Sequence, residues 1–363
     1  MIVSTNNLSH PLTASLAPRP EKVGGDSFKR IVWVDIAKGL SVLLIVFGHV
    51  LTWAEYLTGQ SEALRGFVTM LTPVRIPMFF FVSGLFAVGV LTGPRERVVH
   101  RVADLFKVFV LWSVITFLLE KTFFHRFPAV EKWTYDAALN ALALPHLFTW
   151  FLWALAVFTL LGSVGVRHAP RITLFAAVAM LFALELIPTY LPGTHTVGGR
   201  GFYGNFLFFI LPLYLPAAQQ RISSLPPTGA AAMTGISYCL LLFIEPHFEG
   251  HWFQSALRIG ATAIGVTSLL CIARLIESQR RVGHMMAVLG RKTLPIYLTH
   301  FLIGMALMLM IDSAGLFGSP IGNTLLILAV TATCAFLGTF IEQVMPQSAR
   351  DFLFVPNRRR KIV

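Results

Sequence analysis

The sequence is poor in charged residues. Only 13% of its 363 residues are Asp, Glu, Lys or Arg, whereas 55% are hydrophobic. A soluble domain carries about 25% charged residues, so this deficit argues against an ordinary soluble protein. Apolar runs recur along the chain at about the twenty-residue length that a membrane-spanning helix needs. The composition therefore predicts an all-α fold, a polytopic membrane protein with about ten transmembrane helices.

Acidic residues and cysteines are also scarce. The 17 Asp and Glu residues are outnumbered by 29 Lys and Arg residues, which gives a net charge of +12. These cations are spread along the chain and do not form one block, which favours a role in membrane topology over nucleic-acid binding. The three cysteines, Cys239, Cys271 and Cys334, all lie in apolar runs. We therefore expect buried thiols and no disulfide framework.

Several catalytic signatures are missing from the chain. It has no Walker-A or GxGxxG loop, no GxSxG nucleophile elbow and no CxxC pair. The segment EPHFEGHW contains histidines and glutamates, but it lacks the helical HExxH spacing of a zinc site. No metal is therefore expected. The first 28 residues lack the apolar core of a signal peptide.

Ten apolar segments are predicted to span the membrane. They cover roughly 31–53, 67–92, 101–120, 146–165, 171–190, 201–219, 229–245, 254–276, 293–312 and 321–343. The connecting loops alternate between cation-rich and cation-poor, so the positive-inside rule predicts that both termini are cytoplasmic. We expect a disordered tail over 1–28, a ten-span membrane domain over 29–345 and a short basic cytoplasmic tail over 346–363. The expected location is the inner, or plasma, membrane of the cell.

The first apolar segment carries a row of ionisable residues: Asp35, Lys38 and His49. At about 100° per residue, Lys38 and His49 lie within ~20° of one helix face and ~16 Å apart along the axis. An ionisable side chain that faces lipid is costly, so this row is expected to face protein or a water-filled cavity. His49 is the residue best suited to accept a proton at neutral pH. The alternative is that all three side chains snorkel to the two membrane interfaces.

Further candidates lie in the second apolar segment and in the loop that follows it. Arg75 is deeper in its segment than a snorkelling side chain needs to be, and Ser83 either lines a substrate path or packs against a neighbouring helix. Arg95, Arg97 and Arg101 form a basic patch after this segment. Such a patch is suited to hold a phosphorylated cytosolic ligand through charge-assisted hydrogen bonds. It is equally suited to determine topology by contacting anionic lipid.

Aromatic and histidine candidates occur later in the chain. Trp150 opens the fourth apolar segment, where an interfacial anchor is the alternative to a role in substrate binding. Tyr297 and His300 lie about one helical turn apart in the ninth segment.

Four stretches of the sequence together resemble a known family. They are DIAKGLSVLLIVFGHV, IPMFFFVSGLF, TWFLWAL and LGRKTLPIYLTHFLI. In this order they resemble the membrane acyltransferases called acyltransferase 3, and among these the fucose 4-O-acetylase-like sugar O-acetyltransferases, over roughly 29–342. The most specific feature is a basic residue that precedes a His in the first span, here Lys38 and His49, although the family more often has Arg at the first position. The family's RxxR motif is not intact, because Arg97 and Arg101 are four positions apart.

The resemblance implies transfer of an acyl group, mostly acetyl from cytosolic acetyl-CoA, to a carbohydrate on the far side of the membrane. It implies that His49 acts as a general base or carries the acyl group, with Lys38 and Asp35 along the route of the donor. The implied contacts to the donor phosphates are Arg95, Arg97 and Arg101, and the implied substrate contacts are Arg75, Ser83, Trp150, Tyr297 and His300. The partners expected are a carbohydrate acceptor and membrane lipid, with no nucleic acid.

Two alternative functions remain open at this point. Within the enzyme class, the alternative is transfer of a succinyl group to a glucan. Outside it, the chain is a polytopic saccharide transporter or flippase, in which the polar row lines a translocation path without acyl transfer.

Overall fold

The computed structural model describes residues 31–59, 62–123, 149–186, 199–248 and 251–354. Within these ranges it contains thirteen α-helices, one short 3-10 turn at Glu245–His247 and no β-strand. The helices are α1 (Val32–Thr58), α2 (Glu62–Leu91), α3 (Arg95–Phe123), α4 (Trp150–His168), α5 (Pro170–Leu186), α6 (Gly199–Tyr214), α7 (Ala218–Ser224), α8 (Pro227–Ile244), α9 (His251–Ser278), α10 (Arg280–Arg291), α11 (Thr293–Ser313), α12 (Pro320–Val344) and α13 (Gln347–Leu353).

Eight of the helices in the described ranges are long and apolar enough to cross a membrane, namely α1, α2, α3, α4, α8, α9, α11 and α12. This confirms the all-α polytopic membrane fold. Two shorter apolar stretches, Pro170–Leu184 of α5 and Tyr203–Tyr214 of α6, coincide with the fifth and sixth predicted segments. The count of ten spans stays a prediction. Because α5 and α6 are consecutive, the other helices keep the same orientation whether or not this pair crosses.

Side-chain contacts bring together the helix ends that the charge pattern assigns to one side. Arg167 at the end of α4 donates a hydrogen bond to the carbonyl oxygen of Leu91 at the end of α2 (3.3 Å). Lys292 at the start of α11 forms an ion pair with Glu342 near the end of α12. Trp33 at the start of α1 donates to a serine of α7 (3.0 Å). The end of the bundle at which α1, α3 and α11 begin is termed the basic end.

Helix α10 at the basic end was not predicted from the sequence. The segment between the eighth and ninth predicted spans was expected to be a loop, and that prediction was wrong. It forms a helix packed directly against α1, because glycines allow the two backbones to touch. A Cβ atom on Gly39 would meet the carbonyl oxygen of Met286, and one on Gly290 would meet the carbonyl oxygen of Asp35. At twelve residues, α10 is too short for a search based on span length to detect.

Helix α2 is continuous although Pro73 and Pro77 lie inside it. Each proline removes a backbone N–H from the helical hydrogen-bond pattern, and Arg75 lies between the two. Farther along, Gly84 contacts the backbone of α6, since a Cβ there would meet the carbonyl oxygen of Phe209. Close packing through a small residue therefore accounts for Gly84.

The cysteine prediction is confirmed at two of three positions. All three are free thiols, and Cys271 and Cys334 are buried. Cys239 is exposed, so its predicted burial was wrong. It lies on α8, a helix that is only 17% buried over its most apolar stretch and presents most of its surface outward.

The segment predicted as a basic tail begins with the helix α13, which is anchored to α3. The indole N–H of Trp112 donates a hydrogen bond to the carbonyl oxygen of Leu353 (2.9 Å). The ring of Trp112 also lies 5.6 Å from that of Phe354, a buried residue. Residues beyond 354, including Arg358, Arg359 and Arg360, lie outside the described residues.

Candidate active site

Two histidines from distant parts of the chain meet between α1 and α11. The rings of His49 and His300 lie 5.4 Å apart, centroid to centroid. The Nδ1 atom of His300 lies 2.6 Å from the carbonyl oxygen of Tyr297. A carbonyl oxygen only accepts hydrogen bonds, so we assign the proton to Nδ1 and a free electron pair to Nε2.

His300 is almost completely enclosed, with 1% of its surface exposed. Its Nε2 atom is buried and has no hydrogen-bond partner within the described residues. Leaving a buried acceptor unpaired costs about 1–3 kcal/mol, so such an atom calls for a functional explanation. His49 is only partly buried. The pair therefore combines a fully enclosed histidine with one that is less completely enclosed.

Trp53 supports the histidine pair from one helical turn farther along α1. Its ring is stacked with that of His49 at 6.0 Å and packs edge-on against Phe301 of α11 at 5.3 Å. Gly304 makes room for the indole, because a Cβ there would meet the Trp53 ring. Trp53 was not among the residues predicted from the sequence, although its spacing of four residues from His49 places both on one helix face.

A cavity of about 300 Å³ leads from the basic end toward the histidine pair. Lys38 and Arg101 contribute cations to its lining, and Phe151 and Tyr297 line the side next to His300. Its other lining residues are Phe79, Ser83, Phe86, Ala87, Val90, Leu105, Val108, Leu152, Leu155, Thr159, Phe209, Thr293 and Leu294. Along α4, from Phe151 to Thr159, the cavity extends roughly 12 Å.

Tyr297 separates this cavity from the histidines. It is 6% exposed, and its ring lies 5.9 Å from that of His300. Its hydroxyl accepts a hydrogen bond from the backbone N–H of Phe151 (3.4 Å), one of the N–H groups that lack a partner in the first turn of a helix. A ligand that fills the cavity thus meets Tyr297 before it meets the two histidines.

The polar row on α1 faces protein. The Lys38 ammonium lies 3.4 Å from the centroid of the Phe86 ring, a cation–π contact at the cavity wall. Asp35 is 2% exposed and lies where α10 packs against α1. Snorkelling to an interface therefore does not account for Asp35 or Lys38. Phe86 was not among the residues predicted from the sequence, because it has no polar group.

The three arginines expected at a phosphate site have different environments. Arg101 lines the cavity. Arg97 donates a hydrogen bond to the carbonyl oxygen of Gly89 near the end of α2 (3.3 Å). Arg95 is exposed as the first residue of α3. The cavity thus includes Arg101 but neither of the other two.

Among the expected substrate contacts, Ser83 and Tyr297 line the cavity and His300 adjoins it. Trp150 lies outside the lining, and its ring is 6.0 Å from that of Phe80. Phe151, the next residue, lines the cavity instead and stacks on Phe79 at 4.5 Å. The TWFLWAL stretch therefore contributes to the site through Phe151, Leu152 and Leu155, and not through its tryptophans.

Arg75 lies against the backbone of α1 next to His49. A Cβ atom on Gly48 would meet the Nη1 and Cζ atoms of the Arg75 guanidinium, so the glycine creates the space that this group fills. The Nε atom of Arg75 is buried without a hydrogen-bond partner among the described residues. The ion pairs found there involve other residues: Arg65 with Glu55, Arg258 with Glu245, and Lys292 with Glu342.

The part of the chain that the structure describes contains no cluster of three or more His, Cys, Asp and Glu residues suited to hold a metal ion. Within the segment EPHFEGHW, Glu245 forms an ion pair with Arg258, and residues 249–250 lie outside the described ranges. The groups gathered at the site are therefore histidine, tyrosine, lysine and arginine side chains.

The fold and this site define a multi-pass helical membrane protein with a histidine pair beyond a cavity that opens among basic residues. The family model of the acyltransferase domain, acyltransferase 3, matches residues 31–340. The chain belongs to this family of membrane acyltransferases. No curated protein and no solved structure matches the chain. The family match runs from the start of α1 into α12, so it includes the whole cavity and both histidines.

Proposed function

We propose that the protein transfers an acetyl group from cytosolic acetyl-CoA to a hydroxyl group of an exported or cell-surface carbohydrate. In this proposal the basic end faces the cytoplasm, both termini are cytoplasmic and the membrane is the plasma membrane. One observation carries the proposal: a single cavity connects Lys38 and Arg101 with the neighbourhood of His49 and His300. The fucose 4-O-acetylase-like sequence motifs support a sugar as the acceptor.

The cavity has the properties that an acyl-CoA donor requires. Coenzyme A carries phosphates, and Arg101 and Lys38 supply cations for charge-assisted hydrogen bonds at the cavity mouth. The walls farther in are mostly apolar and suit the narrow arm that bears the acyl group. At about 300 Å³, the cavity is at the small end of ligand sites, so it accommodates this arm while the nucleotide stays at the mouth.

The histidine pair supplies the proton acceptor that the transfer needs. A carbohydrate hydroxyl must lose its proton as its oxygen bonds to the acyl carbon. We propose that His49, the more accessible of the two, accepts this proton, with the free Nε2 of His300 beside it. Because Tyr297 lies between the cavity and the pair, its movement would admit the thioester.

The test is acetyl incorporation from labelled acetyl-CoA into glycans in membrane vesicles, normalised to folded protein. His49→Asn keeps polarity but not basicity, and it should lower the rate about 10²–10⁴-fold, as expected when a general base is lost. His300→Asn should also lower it, by a smaller factor. His284→Asn is the control, because His284 is exposed on α10 away from the pair.

Wild-type turnover by His49→Asn would contradict the role of His49 as base. A wild-type protein that carries saccharide across the vesicle membrane unmodified, with no acetyl incorporation, would support the transporter alternative instead. Transfer from succinyl-CoA but not from acetyl-CoA would retain the enzyme class and replace the donor.

A further inference from the structure

Arg75 is a partly buried cation for which the described residues provide no ion-pair partner. Its Nε atom is buried without a partner, and no ion pair to a carboxylate is found for it there. It lies between Pro73 and Pro77, well inside the membrane-spanning helix α2. A cation inside a membrane span is costly and is usually paired or functional. A ligand that brings negative charge would resolve this cost.

The position of the guanidinium is specified by the helix it touches. Gly48 leaves the surface of α1 open where the Nη1 and Cζ atoms of Arg75 lie. Gly48 immediately precedes His49, whose ring lies 5.4 Å from that of His300. The Arg75 guanidinium and the His300 ring therefore both lie beside the Gly48–His49 segment of α1. A guanidinium donates several hydrogen bonds in a fixed plane and accepts none, so it is suited to bind an oxygen anion.

We propose that Arg75 binds the carbonyl oxygen of the acyl group and stabilises the negative charge that forms on this oxygen during transfer. The inference rests on the proposed function and assigns the charge-stabilising role at the same site. Donors positioned in advance for a developing oxyanion commonly supply the largest single contribution to acyl-transfer catalysis.

The acceptor oxygen bonds to the thioester carbon while its proton passes to the histidine pair, and the electron pair of the C=O bond moves onto the carbonyl oxygen beside Arg75. When the C=O bond re-forms, the C–S bond breaks. The coenzyme A thiolate leaves and takes up the proton that the histidine accepted. The products are the ester and free coenzyme A.

The experiment compares four variants of the full-length protein in vesicles, with acetyl-CoA and succinyl-CoA as donors. Arg75→Met removes the charge while keeping an unbranched side chain, and Arg75→Lys keeps the charge without the planar fork. Gly48→Ala leaves Arg75 and His49 unchanged but places a methyl group where the Arg75 guanidinium lies. Gly66→Ala is the matched control, because a Cβ at this α2 glycine meets nothing within 4 Å.

We expect Arg75→Met to lower kcat about 10²–10³-fold, the loss typical when an oxyanion donor is removed. The KM for acetyl-CoA should change little, because the charge develops only in the transition state. Gly48→Ala should lower kcat in the same direction, Arg75→Lys should lie between wild type and Arg75→Met, and Gly66→Ala should match wild type. Added guanidinium ion should partly restore Arg75→Met, a rescue that a folding defect would not show.

Three results would overturn the inference. In the first, Arg75→Met retains the wild-type kcat. In the second, only KM rises, which assigns Arg75 to ground-state binding. In the third, succinyl transfer is lost while acetyl transfer is retained, which makes Arg75 a site for a donor carboxylate. Each of these leaves the proposed function intact, whereas a wild-type protein with no acyl transfer from either donor would overturn both.

Discussion

Arg97 and Arg101 have different contacts although they lie close together in one helix. They lie about one turn apart at the start of α3 and are both exposed. Arg101 lines the cavity, whereas Arg97 donates to the backbone of α2. Charge pattern alone treats them as one patch, but their contacts indicate different roles.

This difference predicts different effects of removing each arginine. Arg101→Ala should raise the KM for acetyl-CoA about 10–100-fold, because a hydrogen bond to a charged group contributes about 1.5–3 kcal/mol. Arg97→Ala should change it only a few-fold, since it loses a contact to a helix terminus. Donor titration of both variants at equal amounts of inserted protein gives the comparison. Equal increases in KM would mean that the two arginines form one phosphate site after all.

Among the elements, α10 and α1 form the backbone contact that supports the polar row. Gly39 and Gly290 allow this contact, and Asp35 and Lys38 belong to the part of α1 that α10 covers or adjoins. A short amphipathic helix with basic ends thus contributes to the packing of α1. Its exposed face carries Arg280, Arg281 and His284.

Gly290→Ala should destabilise the protein by about 1–3 kcal/mol, the usual cost of overpacking, because the new methyl group meets the carbonyl oxygen of Asp35. Gly260→Ala in α9 is the control, since a Cβ there meets nothing within 4 Å and alanine favours a helix. Thermal unfolding in detergent measures both. A Gly290→Ala variant as stable as Gly260→Ala would mean that α10 separates from α1 at little cost.

For the whole molecule, the orientation of the helices can be tested with introduced cysteines. In the topology we propose, Leu316 between α11 and α12 faces outward and Gln279 between α9 and α10 faces the cytoplasm. Both positions are exposed. Starting from a variant that lacks Cys239, Cys271 and Cys334, we expect Leu316→Cys to react with a membrane-impermeant maleimide in intact cells. Gln279→Cys should react only after the membrane is opened.

The reverse labelling pattern would invert the topology and place the cavity mouth outside the cell. Such a result would exclude cytosolic acetyl-CoA as the donor while leaving the fold unchanged. His195→Cys, at a position between α5 and α6 in the sequence, tests the span count separately. External labelling of this cysteine supports ten spans. Labelling only from the inside supports eight spans, in which α5 and α6 do not cross the membrane.

The sequence by itself determined the all-α membrane fold, most helix positions, the family and the single-face row of Asp35, Lys38 and His49. The family follows from the four sequence motifs. The fold, the helix positions and the row depend on local properties: in a membrane each helix satisfies its own backbone hydrogen bonds, so hydropathy and a 3.6-residue period are sufficient. Only the tertiary structure decided that His300 lies beside His49, that Arg75 fills the space left by Gly48, and that Phe151 lines the cavity while Trp150 does not. Contacts between separate helices depend on which faces pack together, and no periodicity within one segment specifies its neighbour.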